Sequence, residues 1–313
     1  MITARSIGPK NESTIIIDTD MGHDDVMAIA MLLATQTPIL GITTVNGLCH
    51  VHQGTENVLR LLDRVRLPNI PVAIGADKPL TGDHAFKSQW REKVNALAAV
   101  NLPFTNLKPH PLSAAEFLVD EVNRHPGQVT LLCLGPLTNI AMALQFGGKD
   151  FAQNVRQIIM MGGAVHVPGN NTPNEVSEWN IYIDPEAAAI TINSGIAITM
   201  IGLDVTNQAP YTDELANYLR GQTARNPAGF IMQEVLQGMS SYLYDAVAAA
   251  YLLDPSVVVT TRLPVQVVIE GGNAGQTAES SSGTPIEVAL NLDQDHFHEI
   301  LQTLINNYDQ EKP

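Results

Sequence analysis

Short apolar, β-branched runs alternate with helix-like segments along most of this 313-residue chain, and that alternation limits the fold more than any other feature. The runs are "TIIIDT" (14–19), "ILGITTV" (39–45), "PVAI" (71–74), "VTLLCL" (129–134), "VRQIIMM" (155–161) and "AITMIGL" (197–203). Helix-like segments fall between and after them, near 24–35, 52–65, 111–124, 136–146, 184–194 and 226–253. Strands that read as continuous apolar runs are buried on both faces. The pattern therefore predicts an α/β fold, a mainly parallel central sheet flanked by helices. Two later runs, "LPVQVVIEG" and "PIEVALNL", are joined by the Gly-rich "GNAGQTAESSSGT" and predict a small antiparallel addition. With no internal repeat and no dividing linker, residues 1–313 read as one domain, with 1–13 as a flexible N-terminal extension. The segment "VPGNNTPNEVSE" (167–178) is the most loop-like interior stretch, and long loops in compact domains are often functional.

Charge narrows the function classes. Thirty-two acidic residues against 17 lysines and arginines give a formal charge of −15, which disfavours a nucleic acid polymer as partner. Two cysteines, Cys49 and Cys133, argue against a disulfide scaffold and for a reducing, cytoplasmic setting. No apolar run suits a secretory leader or a membrane span, so a soluble protein is expected.

The first strand ends in "DTDMGHDD". Asp18 and Asp20 flank Thr19, Gly22 permits a tight turn, and Asp24 and Asp25 open an apolar helix. Helix capping accounts for Asp24 or Asp25 but leaves Asp20 without a role. Several carboxylates on one turn suit a hard cation, for which Ca²⁺ takes six to eight oxygen ligands. An EF-hand counted from Asp18 fails, because His23 and Ile29 stand where Gly and Glu are required. A phosphatase-type Asp-x-Asp lacks its following hydroxyl residue. In open parallel sheets, ligands bind at the carboxyl ends of the strands. These aspartates lie at such an end, as do Asn46, Leu134-Gly135 and Gly162-Gly163.

The stretch "IIIDTDMGHDDVMAIA" resembles the N-terminal fingerprint of the nucleoside hydrolases, the Ca²⁺-dependent N-ribosyl hydrolases of the inosine–uridine type. The resemblance continues through "GITTVNG", "LGPLTNIAMAL", "IIMMGGAV", "EWNIYIDPEAA", "GLDVTNQA" and "YDAVAAAYLLDPSVV". It implies a Rossmann-like fold and hydrolysis of the N-glycosidic bond of ribonucleosides to free base and ribose, with assembly as a homodimer or homotetramer. It also implies roles by position. Asp20 is metal ligand and general base to the attacking water, with Asp25, the main-chain carbonyl of Leu134 and Asp245 as further Ca²⁺ ligands. Asp18 would hold the turn and Asp20 in place. Asp24, Asn170, Glu178 and Asn180 would bind ribose, Trp179 would wall the nucleoside, and Met161 would floor the pocket. Carboxylates at such a site would admit a neutral nucleoside and repel a 5′-phosphate.

Three positions depart from the family pattern. Tyr244 stands where the best-known members carry a histidine as leaving-group acid. A loop containing His84, Phe86 and Trp90 replaces a His-rich one, and Leu48 replaces an Asn, with Asn46 two places earlier. Tyr244 with Trp90 resembles the aromatic pair of a purine-specific branch, so purine nucleosides are slightly favoured. A pyrimidine ribonucleoside hydrolase, or a metal-dependent nucleoside-binding protein with little turnover, are the alternatives.

Overall fold

The computed structural model describes residues 14–35, 37–171, 173–239 and 241–307; the N-terminal extension expected over 1–13 lies outside them. The strands are β1 (Thr14–Thr19), β2 (Ile39–Thr44), β3 (Val72–Ile74), β4 (Val129–Cys133), β5 (Val155–Met161), β6 (Ile198–Ile201), β7 (Val258–Val267), β8 (Thr277–Glu279) and β9 (Thr284–Leu292). The helices are α1 (His23–Leu33), α2 (Val51–Arg64), α3 (Ser88–Ala96), α4 (Ala114–Arg124), α5 (Thr138–Asn154) and α6 (Trp179–Ile183). They continue with α7 (Pro185–Ile192), α8 (Leu203–Thr206), α9 (Asp213–Arg220), α10 (Pro227–Val235), α11 (Tyr244–Leu253) and α12 (Gln294–Asn306).

All nine strands join one sheet in the order β3-β2-β1-β4-β5-β6-β9-β7-β8. The first six are parallel to their neighbours, as the apolar runs predict. The antiparallel addition is continuous with them: β9 pairs parallel to β6 and antiparallel to β7. The Gly-rich connection contributes β8 at the edge. Alternation along β1 shows why both sheet faces need helices. Ile15 and Ile17 belong to one apolar cluster, and Ile16 between them belongs to the other.

Two helical expectations are corrected. The segment 226–253 is two helices, α10 and α11, because the chain turns between Leu236 and Leu243. The stretch after Leu80, read as loop, contains α3. Helix α1 is buried from Asp25 through Leu32, as an all-round apolar helix must be, and it packs against both α10 and α11. That packing brings the first turn of α11 to the turn between β1 and α1. Among the described residues no helix is long and apolar enough to cross a membrane.

Candidate active site

Register places the acidic turn at the carboxyl edge of the sheet. Asp18 lies level with Thr43 on β2 and Cys133 on β4, and the residues after Thr19 leave the sheet between two buried strands. Asp18 stays behind as an anchor. Its Oδ1 accepts from the Thr43 hydroxyl at 2.5 Å and from Asn139 Nδ2 at 2.7 Å. Asn139 also donates to the Thr44 carbonyl at 3.0 Å, which ties α5 to the ends of β1 and β2. Beyond Thr19 the chain reverses through Met21, whose φ of 58° is uncommon for a residue with a side chain. The Met21 N–H donates to the Thr19 hydroxyl at 3.0 Å, and that hydroxyl donates to Asp25 Oδ1.

Asp25 does cap its helix, as the simplest reading of the sequence holds: its Oδ2 accepts from the Gly22 N–H at 2.8 Å. Capping does not explain its neighbours. Asp24, Asp25 and Asp245 each offer a carboxylate oxygen, and these oxygens lie within 4.8 Å of one another. Asp245 Oδ1 is buried and has no hydrogen-bond partner. Asp20, 4% exposed, lies close enough to Asp25 for the two carboxyls to disfavour each other's ionisation, a crowding that a cation would relieve. Burial holds Asp20 and Asp245 well above the usual carboxylate range, and the charge of Asp25 adds to it. Burial and then Asp25 push Asp24 up to about 7; burial brings Asp18 to about 7 against its two hydrogen bonds. Buried like charges with an orphaned oxygen fit a hard divalent cation, since all the donors are oxygen. The trio within mutual reach includes Asp24, expected as a ribose ligand, while Asp20 reaches it through Asp25.

Asp20 is held from the opposite side by the turn after β2. The Leu48 N–H donates to Asp20 Oδ2 at 2.6 Å and the Cys49 N–H to its carbonyl at 3.0 Å. The main chain of Leu48 thus supports Asp20, so a leucine side chain at that place removes nothing from this contact.

The expected sugar- and base-facing residues gather at the ends of β4 and β5. Asn180 Nδ2 donates to the Leu134 carbonyl at 2.9 Å and the Met161 carbonyl at 3.3 Å, and lies 3.5 Å from Met161 Sδ. Glu178 caps α6, accepting from the N–H groups of Asn180 at 2.9 Å and of Ile181 and Gly163 at 3.2 Å. Burial nevertheless brings it to about 7. Asn170 Oδ1 accepts from the Trp179 N–H at 3.1 Å, and its side chain lies near the Tyr244 hydroxyl. Trp179 stacks on Phe86 at 4.8 Å and meets Trp90 edge-on at 5.4 Å. Trp90 is thus part of the Trp179 cluster, while the Tyr244 ring lies against Tyr242 at 5.4 Å.

A family model described as "Inosine-uridine preferring nucleoside hydrolase" matches residues 15–299. The chain belongs to that family. A probable uridine nucleosidase 2 of Oryza sativa subsp. japonica is 40% identical over 220 residues, covering 70% of this chain and 64% of that relative. Uridine nucleosidase 1 of Arabidopsis thaliana is 37% identical over 278 residues, covering 84% of this chain and 80% of its own. The structure of a purine-preferring ribonucleoside hydrolase from Gardnerella vaginalis superposes with a TM-score of 0.82 at 29% identity, covering 94% of this chain and 98% of that one.

Within this nucleoside hydrolase, two residues escaped sequence reasoning. Thr19 carries the hydrogen bond that orients Asp25, and its position between two aspartates was the available signal. Arg91 donates to the Asn46 side chain beside the acidic turn, and nothing in the surrounding pattern marks it.

Proposed function

We propose that this nucleoside hydrolase cleaves the N-glycosidic bond of ribonucleosides with Ca²⁺ held by Asp20, Asp25, Asp245 and the Leu134 carbonyl, and Asp20 as general base. The observation that carries the reading is the buried carboxylate group at the β1–α1 turn, in which Asp245 Oδ1 has no partner. When bound, Ca²⁺ would lower the pKa of a water and grip the sugar diol. The rest is the work of this chain's own side chains. Asp20, fixed by the Leu48 N–H, takes the proton from the attacking water. Positive charge builds on the ribose ring as the bond breaks, and a site lined by Asp24, Glu178 and the other aspartates stabilises it. Asn180 keeps the Leu134 carbonyl directed while Asn170 holds the Trp179 N–H. Burial pushes the Tyr244 hydroxyl up to about 12, so near neutral pH it donates a hydrogen bond to the departing base and keeps its proton.

The aromatic face of Trp179, backed by Phe86 and Trp90, supports a slight preference for the larger purine ring. A second reading, preference for uridine, is supported by the two plant relatives named uridine nucleosidases. Base release from inosine, adenosine, guanosine, uridine and cytidine, each with and without a chelator, tests both. Chelator-sensitive release, fastest from a purine nucleoside, supports the main reading. Fastest release from uridine establishes the second, and tight nucleoside binding without release establishes a binding protein.

A further inference from the structure

Helix α3 has almost no apolar face, since only Val94 is buried among its nine residues. It is held in place by polar side chains, and two of them, Arg91 and Asn95, lie one turn apart on the same face. Both grip the turn that follows β2. Asn95 Oδ1 accepts from the His50 N–H at 3.0 Å and the Cys49 thiol at 3.1 Å, and its carbonyl accepts from Asn57 Nδ2 of α2 at 3.1 Å. Arg91 Nη2 donates to Asn46 Oδ1 at the start of the turn. The turn is closed tightly on Asp20: besides the two N–H groups of Leu48 and Cys49, Gly47 approaches so closely that a Cβ there would lie 2.1 Å from Asp20 Oδ2.

The guanidinium is half-buried, and its Nε is buried with no hydrogen-bond partner. An ion whose charge does not depend on pH, kept partly out of water with a donor unmet, is costly to place. The Asn46 oxygen offsets part of that cost. The neighbouring Trp90 leans on Trp179, so one short helix touches both the aromatic wall and the support of the base.

We infer that Arg91 is a positioning residue for Asp20, acting through Asn46 and the 46–49 turn to hold that carboxylate at the attacking water. This rests on Asp20 being the general base. Arg91 fixes a geometry that only the reacting state needs, so its loss lowers kcat and leaves nucleoside affinity alone.

The test uses purified full-length protein with Ca²⁺ and the nucleoside it cleaves fastest. Arg91→Ala is expected to lower kcat about 10- to 100-fold, the scale of a misplacement near 1 Å, with KM within about twofold. Asn46→Ala is expected to lose a similar factor, and the double variant no more than the larger single loss. Millimolar guanidinium is expected to restore part of the turnover of Arg91→Ala and none of that of Asn46→Ala. Should Arg91→Ala not fold, Arg91→Gln with Asn46→Ala carries the same comparison. Unchanged kcat, a loss expressed in KM, multiplying losses in the double variant, or no rescue by guanidinium overturns the inference. Asp20→Ala separates this from the parent reading. If it retains turnover, Asp20 is not the base; if it is dead while Arg91→Ala is normal, only the role of Arg91 fails.

Discussion

Gly47→Ala isolates the placement of Asp20 from its chemistry. The added methyl would stand 2.1 Å from Asp20 Oδ2 and 2.6 Å from Asp20 Cβ, where ordinary contact begins near 3.4 Å. The difference between 3.4 and 2.1 Å requires the turn and the carboxylate to separate by about 1.3 Å. Gly47 has no left-handed φ, so the substitution adds bulk without backbone strain. A shift of that size at a group that must meet an attacking water is expected to reduce kcat about 100-fold. Overpacking of this kind also costs about 1–3 kcal/mol of stability. The assay is steady-state base release at saturating Ca²⁺, with a melting curve to show that the variant is folded. Gly272→Ala is the matched control, because a Cβ there meets nothing within 4 Å. A folded Gly47→Ala protein with kcat within about threefold of wild type would refute the claim that the turn sets the position of Asp20.

Asp245→Asn removes a buried carboxyl that burial and the neighbouring aspartates make costly to ionise, and whose Oδ1 has no partner. Its nucleoside turnover is expected to vanish while its melting temperature in chelator rises above that of the wild type, and a fall in that temperature would contradict the crowding argument. Asn180→Ala frees the Leu134 and Met161 carbonyls, and Ca²⁺ affinity by calorimetry is expected to weaken about 10- to 100-fold; unchanged affinity would remove Asn180 from the support of the site. The pH dependence follows from Asp18, Asp24 and Glu178, all raised to about 7. Each carboxyl is protonated more readily folded than unfolded, so its stabilising contribution is full below the ordinary carboxylate range and lost as pH rises through about 7. In chelator, the melting temperature is expected to fall between about pH 4 and about pH 7, and saturating Ca²⁺ is expected to shrink that fall. A flat or rising profile in chelator would count against it.

How much of this was legible depends on what holds each element. The β1–turn–α1 unit could be read because an apolar strand, a glycine and two aspartates state it locally. The parallel sheet followed for the same reason. Helix α3 was invisible because "SQWREKVNA" has no apolar periodicity; its position is set by Arg91 and Asn95 reaching another segment. The break between α10 and α11 was hidden because Leu236 and Leu243, on either side of it, are fully buried and prolong the apolar pattern. Gly238 was the local sign of it, and a Cβ there would collide with His23 at 2.3 Å.

The site divided in the same way. Asp24 and Asp25 could be assigned to the first turn from composition alone. Their meeting with Asp245 depends on α1 packing against α11, and only the family resemblance pointed to it. Leu48 departs from the family pattern at no cost to this contact, because a backbone N–H serves Asp20 whatever the side chain. Trp90 shows the reverse: the residue was picked out, but its edge contact with Trp179 depends on a helix that periodicity could not detect.

The most direct test of the central claim is a calcium titration of chelator-stripped protein, following bound ion and base release in the same samples. One ion per chain is expected, with turnover rising in step with occupancy, and neither in Asp245→Asn. Full nucleoside cleavage by the stripped protein, or no ion bound at any calcium concentration, would contradict it.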